Sequence, residues 1–451
     1  MVVFTKPNEP RFSVEIHQNP YLPEGGRQVD AIAAVTASGG GTVGGRIPGD
    51  AGRARRPAGS GASAAVALMV DCSGSMAHPP LKMREARQAT AAAIDTLRDG
   101  VRFAVIAGTH EAAEVYPGAG RLATADAHSR ALAKRALRGM KAGGGTALGT
   151  WLRLADRLLS SEDVRVRHGI LLTDGRNEHE TPGALRDALA ACAGRFTCDV
   201  RGVGTDWDVA ELTGVASALL GNADIVADPA DLAADFARLM ATAMGKELGT
   251  VSMRLWTPVG TSVTRVAQVA PSVVDLTDRH TPVDTRHTDY PTGSWGEESR
   301  VYHLRLEVPA AGIGREMLAA RVSLVVPRPG EASRDLGAQG LVRALWTDDL
   351  AAATASDPHV AHYDGQAELA QVVRQGLELR RRGDVDGATV MLGHAVRLAD
   401  ASGNEDTARL LVKVVDVVDA AAGTVRLKTT VGQADEMALE TRSTKTVRVR
   451  K

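Results

Sequence analysis

Aromatic residues are scarce in this 451-residue chain, with five each of Phe, Trp and Tyr, 3% in all. A core built from rings is therefore excluded, and Ala, Val and Leu must fill it. The apolar share of 44% is ordinary for a globular protein. Cysteine is scarcer still. Cys72, Cys192 and Cys198 make an odd count without zinc-ligand spacing, which excludes a disulfide framework and points to a reducing, cytoplasmic setting. Long hydrophobic runs are missing too. The longest, Ala64 to Val70, falls far short of the ~20 residues that cross a bilayer, so no membrane insertion is expected. The opening MVVFTKPNEPRF has no charged start followed by an apolar run and does not read as a signal peptide. Neither charge dominates, with 53 Lys+Arg against 54 Asp+Glu, so no nucleic acid partner is expected. The chain also lacks a Gly-x-x-x-x-Gly-Lys phosphate loop, a Gly-x-Ser-x-Gly elbow and a His-Glu-x-x-His pair. Those absences weigh against an enzyme.

What is present divides into stretches of different texture, and the length suits two or three domains. Phe12, Val14 and Ile16 alternate with polar neighbours as in a half-buried strand, and a second apolar run passes through Ala31, Ile32 and Val35. Residues 1–37 thus read as N-terminal strands, and 38–63 as a linker rich in Gly, Ala and Arg. From 64 to 245, short apolar strands alternate with amphipathic helices. That alternation predicts an α/β domain with a mostly parallel, doubly wound sheet, Rossmann-like in kind. Residues 246–350 carry antiparallel strand signals separated by Pro, Gly, Thr and Asp. Two strands cannot form a stable sheet alone, so the N-terminal pair is expected to join this later β-sandwich, with the α/β domain inserted in it or flanked by it. Residues 351–424 read as helical, including a stretch over Glu405–Ala420, and 425–451 as a basic, Thr/Ser-rich tail.

The chemistry concentrates at strand ends. Asp71-Cys72-Ser73-Gly74-Ser75 follows the first α/β strand and offers one carboxylate and two hydroxyls at alternate residues. Gly143-Gly144-Gly145-Thr146 presents a hydroxyl just before a helix, and Leu171-Leu172-Thr173-Asp174-Gly175 ends a buried strand on a second carboxylate. In a doubly wound sheet all three loops open at the carboxyl edge, where ligands bind. Oxygen donors of this kind are hard ligands suited to Mg²⁺ or Mn²⁺.

This set resembles the metal-ion-dependent adhesion site of von Willebrand factor A domains. The ligand types stand in family order: Asp71, Ser73, Ser75, Thr146 and Asp174. The resemblance covers roughly residues 64–244, and the layout is similar to that of cytosolic actinobacterial proteins with this domain. It implies one divalent ion, with Ser73, Ser75 and usually Thr146 touching it directly in the open state and the carboxylates acting partly through water. It implies further that a carboxylate of a protein partner completes the coordination. The expected function is therefore a metal-dependent adaptor or scaffold, in a signalling or stress-response complex by analogy. The alternatives are a hydrolase or phosphatase-like enzyme, or an accessory subunit of an AAA+ ATPase or chelatase-like machine.

Other residues are weaker candidates. Asn177, His179 and Glu180 follow Asp174 and are expected to rim the site and meet the partner. Asp206 and Asp208 lie past another strand end, Asp208 as the expected cap of the next helix. In the basic tail, Thr441, Thr444 and Thr446 are candidate phosphosites for a phosphothreonine-binding partner.

Overall fold

The computed structural model describes residues 10–39, 64–328 and 330–449, so most of the expected linker lies outside the described residues. Two compact units emerge. Among the described residues, one comprises 10, 39, 64–250 and 293–297, and the other 11–38, 251–292, 298–328 and 330–449.

The first unit is built on a seven-stranded sheet. Its main path runs Ala223–Val226, Thr197–Val203, Val166–Thr173, Ala64–Asp71, Arg102–Gly108, Ala112–Tyr116. The first five of these lie parallel. All eight residues of Ala64–Asp71 are buried, and a strand that apolar is stable only in a parallel sheet covered on both faces. From Ala64–Asp71 the chain goes first to Arg102–Gly108 on one side, then crosses to Val166–Thr173 on the other. The strand order therefore reverses there, and the switch point falls between the ends carrying Asp71 and Asp174. Two antiparallel pieces, Ala112–Tyr116 and Ala123–Thr124, pair with Arg102–Gly108; the sequence pattern had predicted neither.

Helices cover the sheet in the expected order: Leu81–Thr96, Ala127–Leu137, Leu148–Ser160, Pro182–Cys192, Val209–Ala218 and Leu232–Met244. Scarcity of rings shapes the packing. Ala86, Ala89 and Ala93 bring the Leu81–Thr96 helix into a core with Leu68, Val70, Phe103 and Phe236. Trp151 is fully buried, and its Nε1 donates to the Thr109 carbonyl at 2.7 Å. A Cβ on Gly108 would stand 2.2 Å from the Trp151 ring, so the strand beside the metal loop must carry glycine there.

The second unit holds two sheets. One runs Arg11–Gln18, Gln28–Ser38, Glu298–Glu307, Ser262–Ala270, Val274–Asp275. The other includes Glu316–Val326, Arg334–Thr347 and Tyr21–Pro23. They pack face to face: a Cβ on Gly340 would meet the side chains of Val14 and Ile16 at 2.7 Å. Gln28–Ser38 pairs antiparallel with Glu298–Glu307, from Gln28 opposite Glu307 to Ala37 opposite Glu298. The α/β segment is thus inserted in the sequence of the sandwich. Tyr21–Pro23, His287–Gly296 and Arg334–Thr347 were not predicted as strands. His287–Gly296 contains Pro291, Gly293 and Gly296, which mask its pattern.

Helices Pro358–Arg381, Val385–Ser402 and Glu405–Val414 follow. The helix predicted over Glu405–Ala420 stops at Val414, and Val415–Asp419 becomes a strand paired with Thr424–Leu427. Its Val-Asp-Val-Val sequence is β-branched and fits a pleat better than a helix. The segment read as a tail also folds. Gln433–Arg442 is a helix whose Leu439 is buried against Leu377 and Leu411.

Candidate metal centre

Asp71 is the last residue of the central strand, and its carboxylate anchors the loop that follows. Its Oδ1 accepts the Ser73 backbone N–H at 2.7 Å, and its Oδ2 accepts the Thr173 hydroxyl at 2.5 Å. The turn of that loop brings the Ser73 and Ser75 hydroxyls to 2.8 Å of each other. From the neighbouring strand, Asp174 Oδ1 accepts the Ser75 hydroxyl at 2.6 Å. The Gly-rich loop is tied to the same place by two backbone bonds. Gly74 N–H donates to the Gly144 carbonyl at 2.9 Å, and Gly143 N–H to the Cys72 carbonyl at 2.7 Å. All five sequence-predicted ligands come together. A Cβ built on Gly175 would lie 3.3 Å from Ser75 Oγ, 3.5 Å from Thr146 Oγ1 and 4.0 Å from Ser73 Oγ, so the three hydroxyls converge on one backbone point. Asp71, Ser73, Thr146 and Asp174 are buried, whereas Ser75 is exposed, giving the cluster one open side.

The donor set suits a hard divalent ion: two carboxylates and three hydroxyls, without sulfur or imidazole. Electrostatics point the same way. Burial lifts the Asp71 carboxyl to about 6, despite hydrogen bonds from Ser73 and Thr173 that favour its charge, and the Asp174 charge adds to the rise. A carboxylate in that position lacks a positive partner. Among the described residues no three His, Cys, Asp or Glu side chains form a metal-holding group. Metal binding would therefore rest on this mixed set of hydroxyls and carboxylates.

The three residues expected at the partner-facing rim have another task. The Leu148–Ser160 helix starts at Ala147, which has no side chain to cap it. Asn177 Oδ1 accepts the Leu148 N–H at 2.8 Å, and Glu180 Oε1 accepts the Gly149 N–H at 2.7 Å. His179 exchanges bonds with the metal loop itself: its N–H donates to the Thr146 carbonyl at 2.9 Å, and its Nδ1 accepts the Thr146 N–H at 3.2 Å. That tight fit requires glycine beside it, because a Cβ on Gly145 would stand 2.1 Å from His179 Nδ1. The loop after Asp174 thus caps the helix that follows Thr146 and holds the Thr146 backbone. The same three side chains serve the fold beside the Thr146 loop, and His179 is at the same time exposed.

One participant was missed by sequence reasoning. Lys82, in the first turn of the Leu81–Thr96 helix, donates to Asp174 Oδ2 at 2.7 Å and to Asp206 Oδ2 at 3.2 Å. Its side chain is 9% exposed, against 68% for Asp206. Burial works against its charge, but the bonds and charges of Asp174 and Asp206 prevail and raise its pKa. Asp208 caps the next helix as predicted, accepting the Glu211 N–H at 2.8 Å.

The candidate phosphosites lie in or just past the Gln433–Arg442 helix. Thr441 is buried, and Thr444 donates its hydroxyl to the Thr441 carbonyl. Thr446 donates to the Val269 carbonyl at 2.7 Å. The Thr444 and Thr446 hydroxyls are held by main-chain carbonyls, whereas the Thr441 hydroxyl is buried without a hydrogen-bond partner.

Comparison with known proteins follows the same outline. Residues 64–225 match the model of the von Willebrand factor type A domain, and residues 397–443 that of the von Willebrand factor type A C-terminal domain. A solved structure titled von Willebrand factor type A from Catenulispora acidiphila is 44% identical. It superposes with a TM-score of 0.90, covering 99% of each chain. The ArnB paralog VWA2 from Sulfolobus acidocaldarius, 14% identical with a TM-score of 0.56 over 96% of this chain and 98% of its own, shares the fold. An uncharacterised Synechocystis protein is 29% identical over 215 residues, 47% of this chain. The chain spans about half the length of that curated relative, 49%.

Proposed function

The chain belongs to the von Willebrand factor type A family, and from that premise we propose that it is a divalent-metal-dependent protein-binding adaptor or scaffold. Asp71, Ser73, Ser75, Thr146 and Asp174 hold Mg²⁺ or Mn²⁺. A bound ion supplies hard positive charge that a carboxylate of a protein partner can meet. The observation that carries the reading is the convergence of the Ser73, Ser75 and Thr146 hydroxyls beside Gly175, between two buried carboxylates and open at Ser75.

The chain's own residues favour binding over catalysis. Both oxygens of Asp71 accept bonds from Ser73 and Thr173, and both oxygens of Asp174 accept bonds from Ser75 and Lys82. Each oxygen keeps a further lone pair that a metal ion can use, but neither carboxylate is left unbonded to serve as a general base. Three free, buried cysteines among the described residues support a cytoplasmic setting. No helix among the described residues is long and apolar enough to cross a membrane.

The test is affinity capture from native lysate with wild-type bait in Mg²⁺, the same bait in EDTA, and Asp71→Ala bait in Mg²⁺. The reading expects a partner retained by the first alone. Identical partners on all three would overturn it.

A further inference from the structure

We propose that Lys82 is a resident cation of the metal centre, one that weakens its grip on the ion and strengthens the loaded centre's attraction for an acidic ligand. This inference rests on the metal-binding reading above and goes beyond it, since the family's ligand set does not include this lysine.

The argument begins with charge and placement. The five ligands carry two carboxylates, and a divalent ion would neutralise both, leaving no surplus to attract a third carboxylate from outside. Lys82 changes that balance. Its ammonium lies 2.7 Å from Asp174 Oδ2, on the oxygen opposite the one that accepts Ser75, and its side chain is nearly buried. A charge held there is poorly screened, unlike a pair in open solvent. The lysine repels an incoming cation and takes up part of the Asp174 charge that would otherwise serve the ion. Once the ion is bound, the ion, Asp71, Asp174 and Lys82 together carry one net positive charge, which Asp206, mostly exposed and screened by water, offsets only in part, and that favours an external carboxylate.

Geometry separates this role from that of an ordinary surface ion pair. Lys82 sits in the first turn of the helix that directly follows the metal loop, so its backbone is fixed relative to Ser73 and Ser75. It reaches across to the neighbouring strand's Asp174 and is braced on its far side by Asp206, at 3.2 Å. Asp206 is mostly exposed, so that second bond is worth little in itself. Its effect is to hold the ammonium beside Asp174 in one orientation. The bury-and-brace arrangement gives the lysine a defined place next to the ion's ligands.

The experiment measures Mn²⁺ affinity of the full chain by titration calorimetry for wild type, Lys82→Met, Lys82→Arg and Asp71→Ala, with thermal melts of each in EDTA to verify folding. Lys82→Met is expected to bind Mn²⁺ about tenfold more tightly than wild type, the scale on which residues behind metal ligands act. Lys82→Arg keeps the charge and is expected to stay close to wild type. Binding by Lys82→Met where wild type binds nothing would support the inference in a stronger form. Unchanged or weaker affinity in Lys82→Met would overturn it, as would equal tightening in the Met and Arg variants, which would make the effect steric. If Lys82→Met fails to fold, Lys82→Gln takes its place under the same expectation. Failure of the underlying reading looks different: wild type would then bind Mn²⁺ no better than Asp71→Ala, and Lys82→Met would bind none. The second half is read with acetate as the carboxylate probe, through its displacement of water from bound Mn²⁺ in proton relaxation. Acetate is expected to act at lower concentration on wild type than on Lys82→Met, and the reverse order would overturn that half.

Discussion

Two buried aspartates on one sheet, Asp71 and Asp199, meet opposite fates. Asp199 lies toward the amino ends of the strands, where His168 Nε2 stands 3.1 Å from its Oδ2 and the Asn222 N–H donates to its Oδ1 at 2.7 Å. Burial works to raise its pKa, but the bond and charge of His168, helped by the Arg201 charge, hold it at about 2. Asp71, at the carboxyl edge, is as deeply buried, yet its direct partners are a hydroxyl and a backbone N–H, and burial lifts it to about 6. The contrast separates a finished ion cluster from one that still has room for a cation. One acid is held charged by neighbours within the sheet, while the other has only hydrogen-bond donors beside it, the place that the proposed ion would fill.

The largest effect expected from this contrast is on metal binding. Asp71→Ala should lower Mn²⁺ affinity by about 100-fold or more in calorimetry, whereas Asp199→Asn, on the other edge, should leave it close to wild type. Equal losses would erase the distinction. Stability should divide the other way. Asp199→Asn removes a buried carboxylate bonded by His168 and the Asn222 N–H and favoured by the Arg201 charge, and should cost about 3 kcal/mol in urea unfolding. Asp71→Asn in EDTA should lie within about 1 kcal/mol of wild type, or above it, because it removes a buried charge with little to balance it.

Acidity sharpens the same contrast. Asp199 has a depressed folded pKa, so its stabilisation is full above the unfolded value near 3.8 and is lost as pH falls through about 2. Asp71 has a raised folded pKa, so protonation-linked stability is present below 3.8 and is lost as pH rises through about 6. Each displacement, about two pH units, corresponds to about 2–3 kcal/mol. In EDTA, wild type should therefore gain on Asp71→Asn as pH falls from about 6 to 4, while its advantage over Asp199→Asn should hold until pH falls below about 4. Paired urea melts across that range would reveal parallel behaviour if the contrast is wrong. The smallest effect belongs to the loop that caps the Leu148–Ser160 helix. Asn177→Ala and Glu180→Ala should each cost about 1 kcal/mol of stability, as lost caps do. Each should also loosen Mn²⁺ binding several-fold, about tenfold at most, through Thr146. Full stability with unchanged affinity would mean the caps do not support the site.

The five candidate ligands were legible because each sits where an apolar strand or a glycine run ends, and a doubly wound sheet brings such ends to one edge. The capping role of Asn177 and Glu180 and the His179 bonds to Thr146 were not legible because their partners are remote in sequence. The available signal was Ala147, a helix start without a side-chain oxygen, which calls for caps from elsewhere. Lys82 carried no signal of its own, since nothing local distinguishes a lysine that turns inward from one that faces water. The supposed tail looked disordered by its basic, hydroxyl-rich composition. Met437, Ala438 and Leu439 in its middle supply the buried face that draws it into the helical core. Strands with internal Pro or Gly, such as His287–Gly296, were lost because their pattern is set by cross-strand neighbours rather than by their own alternation.

The insertion of the α/β segment into the sandwich also sets a schedule for synthesis. Thr36 and Ser299, whose hydroxyls meet at 3.0 Å on neighbouring strands, stand 263 residues apart. At a ribosome's pace of roughly 5–20 residues per second, that gap corresponds to roughly 13–53 s. For that interval Ala31, Ile32 and Val35, which the finished sheet buries almost completely, have emerged without the strand that covers them. The entire α/β sheet is made and can fold in the meantime. The nascent chain thus offers chaperones an apolar strand early and a client-sized folded domain late, and the sandwich closes only as the last third of the protein arrives.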